Sequence, residues 1–122
     1  MLFNHANFVV EDVAASALFF TRHFGFRPLG EGRDNFIILM GDDGFVLNLM
    51  GPGKGEVVTY PKNFHVGFFV DAATEVVAKH AELNATGYAP GEVRELRRGG
   101  SITTTFYCPA PGGFLVEVAT KA

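Results

Sequence analysis

The sequence predicts an α+β fold built from two tandem copies of one strand–helix–strand–strand–strand unit. Three observations predict it. Residues 5–12, "HANFVVED", resemble residues 65–71, "HVGFFVD": each begins with His, runs through an apolar stretch and stops at an acidic residue. Each stretch is followed by apolar residues at helical spacing, ended by a glycine. The far ends then match again, since "GFVLNLM" (44–50) aligns with "GFLVEVA" (113–119) position by position.

In order along the chain, 5–12 reads as the first strand, with Asp12 as a helix N-cap. Val13, Ala17, Phe20 and Phe24 recur at helical spacing, and Gly25 stands where the helix stops. Two short strand candidates follow at 27–31 and 35–40, then the apolar run 44–50. In the second copy 65–71 is the strand and Asp71 a cap candidate. Ala73, Val76, Val77 and His80 form the helical stripe, and Gly87 ends it. Strand candidates at 92–96 and 101–107 precede the last apolar run. Turn residues divide them: "GEGRD", "GDDG", "RRGG" and "PAPGG". Repeat one thus spans 3–50 and repeat two 63–119. Between them "GPGKGEVVTYPK" (51–62) reads as a flexible linker, because its Gly-rich start has neither the strand-to-helix setting nor the Lys-Ser/Thr ending of a phosphate loop.

At 122 residues, with 48% hydrophobic and 19% charged side chains, the chain reads as one ordered globular domain. A formal net charge of −3 and scattered basic residues argue against a nucleic-acid partner. No apolar run approaches the ~20 residues that cross a bilayer. The start "MLFNHANFVV" lacks a basic n-region and a cleavage site, and the single cysteine, Cys108, fits a reducing compartment. A cytoplasmic location is expected, with Cys108 as a small packing residue.

The run "FLVEV" (114–118) reads as a strand buried on both faces, where Glu117 needs a partner or must surrender its charge. Arg94, Arg97 and Arg98 are the available structural partners. The repeat supplies an alternative. A two-fold relation between the copies would make His5 equivalent to His65 and Asn48 equivalent to Glu117. If first and last strands are neighbours with one face inward, these polar groups meet in one concave place. Strand parity then puts Phe69 on the face of His65 and Leu115 on the face of Glu117, as candidate substrate-binding residues with Asn48. His23 and His80 fall on the helices, outside this group.

The segments "NHANFVVEDVAASALFFTRHFGF" (4–26), "FVLNL" (45–49), "FHVGFFVD" (64–71) and "CPAPGGFLVEV" (108–118) together resemble the vicinal-oxygen-chelate superfamily of glyoxalases, extradiol dioxygenases, fosfomycin-resistance transferases and bleomycin-binding proteins. The resemblance implies a curved mixed sheet around a cleft with helices outside, and a homodimer. It implies His5, His65 and Glu117 as ligands of a divalent ion (Fe, Mn, Ni or Zn), with Glu117 also catalytic. Glyoxalase I has a carboxylate or glutamine where this chain has Asn48, and the usual "DPDG" turn is here "APGG" (110–113). The chain is therefore expected to be a metal-dependent enzyme, a lyase, isomerase or dioxygenase, acting on a small organic substrate. The alternative is a metal-free protein that sequesters a small molecule or antibiotic.

Overall fold

The computed structural model describes residues 1–121, and the chain clusters into two compact units. One comprises Met1–Tyr60 with Pro111–Gly113; the other comprises Pro61–Ala110 and the stretch from Phe114 onward. Each unit holds one helix and one open four-stranded mixed sheet.

In the first unit, β1 (His5–Val9) leads into α1 (Val13–His23), then β2 (Arg27–Pro28), β3 (Phe36–Met40) and β4 (Val46–Met50). The sheet order is β1-β4-β3-β2, with β1 parallel to β4 and the remaining pairs antiparallel. Asp12 caps α1 as expected: its Oδ1 accepts from the Ala15 N–H at 2.9 Å. The helix lies against β3 and β4. Val13, Ala17, Phe19 and Phe20 are buried, as are Leu39, Leu47 and Leu49. Helical period on one side and period two on the other thus close one core. Tyr60, in the segment read as a linker, donates to the Val9 carbonyl at 2.7 Å and so fastens the end of that segment to β1.

The second unit repeats the plan with β5 (His65–Val70), α2 (Ala73–Ala85), β6 (Arg94–Arg98), β7 (Ser101–Pro109) and β8 (Leu115–Thr120). Its sheet order is β5-β8-β7-β6, with β5 parallel to β8. Strand β8, paired on both sides, is buried from Val116 through Ala119. The helix packs on β7 and β8; its buried residues are Val76 and Leu83, while Val77 of the expected stripe is 55% exposed. The His80 ring meets Phe106 edge-on at 5.2 Å, and its Nε2 is 2.9 Å from the Gly91 carbonyl. Cys108 is buried, and burial pushes its thiol up to about 11, which makes it an inert packing residue.

The strand expected at 27–31 is reduced to Arg27–Pro28, and two further details depart from the sequence reading. Asp71 does not cap α2; Ala72 holds the N-cap position, and the Glu75 carboxylate reaches back to accept the N–H groups of Asp71 (3.0 Å) and Ala72 (2.9 Å). The strand expected at 92–96 instead runs to Arg98. Gly99 and Gly100 both have positive φ (53° and 85°) and make the two-residue turn into β7, the backbone that matches the twist of a hairpin. Among the described residues no helix is long and apolar enough to cross a membrane.

Candidate active site on the second sheet

The parallel pairing of β5 with β8 fixes the site. His65 stands beside Leu115, and Gly67 beside Glu117. Side chains two apart on a strand share a face, so His65, Gly67 and Phe69 lie on the same side as Leu115, Glu117 and Ala119. That side is opposite the helix. A pocket of ≈ 280 Å³ opens there, lined by His65, Gly67, Phe68, Phe69, Glu117 and Ala119.

Glu117, only 8% exposed, is paired. Its Oε2 accepts from Thr105 Oγ1 at 2.6 Å and from Arg98 Nη1 at 3.1 Å. The second amino group of Arg98 donates to the Tyr107 hydroxyl at 3.2 Å. Tyr107 is the register partner of Glu117 on β7, and its ring meets the His65 ring edge-on at 5.2 Å. Burial alone would raise the Glu117 carboxyl, but hydrogen bonds from Thr105, Arg98 and Tyr107, with the charge of Arg98, hold it below the ordinary carboxylate value. Glu117 is therefore a fixed anion.

His65 is oriented from the other side. Its Nδ1 is 3.0 Å from the Asn63 carbonyl. A carbonyl only accepts, so Nδ1 is the donor there, and in the neutral form of the ring the lone pair is on Nε2. That Nε2 is 3.6 Å from Glu117 Oε1. Two metal bonds of about 2.1 Å meeting at a tetrahedral angle put their donor atoms roughly 3.4 Å apart. The pair thus fits two coordination positions of one divalent ion. Within this unit no third His, Cys, Asp or Glu joins it among the described residues.

Of the residues singled out in the sequence, His65, Phe69 and Glu117 line one pocket, and Leu115 lies beside His65 without lining it. His5 and Asn48 belong to the first unit. There His5 opens β1, with its Nδ1 2.8 Å from the Asn4 side-chain oxygen, and Asn48 pairs with Asn7. Sequence reasoning did not single out Gly67, Thr105 or Tyr107, and it held Arg98 only as one of three arginines. The signal for Thr105 and Tyr107 is parity: both share a face of β7 and stand beside Glu117 once the hairpin register is known.

A family model described as the glyoxalase/bleomycin resistance protein/dioxygenase superfamily matches residues 2–118. The chain belongs to that superfamily. It is similar to the structure of a possible glyoxalase from Bacillus cereus, at 35% identity, covering 97% of each chain, with a TM-score of 0.81. It also shares its fold with lactoylglutathione lyase from Agrobacterium tumefaciens, at 16% identity, covering 98% and 92% of the two chains (TM-score 0.76). The fosfomycin resistance protein FosX from Listeria monocytogenes is similar at 16% identity over 100% and 94% (TM-score 0.76). No curated protein matches the sequence.

Proposed function

We propose that the chain is an ion-assisted enzyme acting on a small organic substrate with adjacent oxygen atoms, and that His65 Nε2 and Glu117 Oε1 hold the divalent ion. The supporting observation is the orientation of His65: its Nδ1 lies 3.0 Å from the Asn63 carbonyl, which turns Nε2 toward Glu117 Oε1 at 3.6 Å in the pocket. Such an outer hydrogen bond is characteristic of ligating histidines.

An ion there would supply positive charge to a developing oxyanion. The chain's own residues do the rest. Thr105 and Arg98 keep Glu117 ionised and pointed. Gly67 leaves the space above the carboxylate free of a side chain, and Phe68 and Phe69 give the pocket an apolar wall against the substrate's carbon skeleton. Both lyase or isomerase and dioxygenase chemistry fit this arrangement. The resemblance adds a homodimer to the proposal, and the single cysteine of the sequence adds a cytoplasmic location.

The test is titration of chelator-stripped protein with manganese(II), iron(II), nickel(II) and zinc(II). Saturable binding to the wild type that is lost in Glu117→Ala and in His65→Ala supports the proposal; binding unchanged in both removes it. A second reading, metal-free sequestration of a drug, is favoured by the fact that Arg98 and Thr105 already satisfy Glu117 and by Phe69, which is 67% exposed. Thermal stabilisation by glycopeptide antibiotics that persists in excess chelator would select it.

A further inference from the structure

The two oxygens of Glu117 live in different surroundings. Oε1 is turned to His65, while Oε2 is held by Thr105 and Arg98. Arg98 comes from the last position of β6, on the edge of the sheet, where the Gly99–Gly100 turn ends its strand. It bridges Glu117 and Tyr107 through separate amino groups. A guanidinium cannot lose its charge in a protein. An ion on Oε1 would therefore share one carboxylate with a second fixed cation a few ångströms away. The orienting role does not need that cation, because the Thr105 hydroxyl makes the shorter bond to the same oxygen, 2.6 Å against 3.1 Å.

We infer that Arg98 competes with the divalent ion for Glu117, its guanidinium lowering the ion affinity of the site and giving way when an ion binds. The inference rests on the ion-binding reading of His65 and Glu117. Arg98 is then a positioning residue with an unusual sign. Support for a ligand strengthens binding, and its removal weakens binding; removal of a competing charge does the reverse. The side chain is 37% exposed, so the guanidinium has solvent to turn into. With Arg98 turned away, Thr105 still holds Oε2, and the Tyr107 hydroxyl is released.

The experiment is calorimetric titration with nickel(II) alone of the wild type, Arg98→Gln, Arg98→Lys and Tyr107→Phe, after each is shown to melt cooperatively in chelator. Arg98→Gln should bind about tenfold more tightly, the scale set by one unit charge a few ångströms away in a partly wet site. Arg98→Lys keeps the charge and should stay near the wild type. Tyr107→Phe removes the second anchor of Arg98 together with the Tyr107 hydrogen bond to Glu117; Thr105 still holds the carboxylate, so binding should tighten by a few-fold, and the inference stays testable if Arg98→Gln does not fold. Equal or weaker binding in both Arg98→Gln and Tyr107→Phe, with the wild type binding normally, overturns the role of Arg98 and leaves the ion site standing. No binding by the wild type or any variant overturns the ion site and the competition together.

Discussion

The two halves share one backbone plan and one register yet offer opposite surroundings to their central polar residue. Asn48 stands beside Asn7 on β1 and Ile38 on β3; Glu117 stands beside Gly67 on β5 and Tyr107 on β7. Two positions along, Met50 faces Phe36 in the first half, whereas Ala119 faces Thr105 in the second. The fourth strands differ most. β2 has two residues, Arg27 and Pro28, while β6 has five and ends on Arg98. A carboxylate in the first half would therefore have only the Asn7 amide as a polar neighbour in register, with no hydroxyl and no guanidinium. The second half surrounds it with a threonine, a tyrosine and an arginine. Repetition explains the shared geometry; the donors on the third and fourth strands explain why only one half has a charged residue at this place.

The comparison can be broken by exchanging the charges. The largest effect should follow removal of the charged member: Glu117→Ala is expected to lose at least about a hundredfold in ion affinity, measured by calorimetry, while Asn48→Ala changes it far less. Next, Asn48→Glu should destabilise the fold by up to about 1 kcal/mol in urea unfolding, because at this half-buried position Ile38 and Phe36 offer the carboxylate no donor and only the Asn7 amide stands beside it. An unchanged midpoint would show that the first-half surroundings are less apolar than their residues imply.

Acid sharpens the comparison further. The Glu117 carboxyl is held below its ordinary value of 4.5 in the folded protein. A depressed value means the group stabilises the fold above its unfolded value and loses that contribution as pH falls through the folded one. Wild-type stability should therefore fall below about pH 4.5, the unfolded value, more steeply than that of Glu117→Gln. Parallel pH profiles for the two proteins would contradict this. The smallest effect belongs to Gly67. A Cβ there would lie 3.4 Å from the Glu117 Cβ, an ordinary contact, so Gly67→Ala should shift stability by no more than about 0.5 kcal/mol. It should weaken ligands that fill the space over Glu117 and spare the ion, which separates pocket shape from coordination.

The repeat was legible in the sequence because strand and helix periods are written in apolar residues, and the first and last strands of the two halves match position by position. The buried pairing of Glu117 was legible for the same reason: one acid in a run such as "FLVEV" needs compensation. Its partner was not. "RRGG" reads as a turn, and only the positive φ of both glycines lets β6 extend to Arg98 and bring it across to Glu117. Thr105 and Tyr107 were hidden for a related reason, since which residues of β7 stand beside Glu117 depends on hairpin register, and a slip of one residue would have turned Phe106 and Thr104 there instead. The Asp71 cap failed because Glu75, one turn into α2, reaches the same N–H groups, and an acid at that position competes with the residue before the helix.

The most direct measurement is anomalous diffraction from crystals grown with manganese(II) or nickel(II), read at the second sheet. One peak about 2.0–2.2 Å from both His65 Nε2 and Glu117 Oε1, with the Arg98 guanidinium withdrawn from Oε2, is the predicted result. No peak at that place, with Arg98 still bridging Glu117 and Tyr107 at saturating ion, would contradict it.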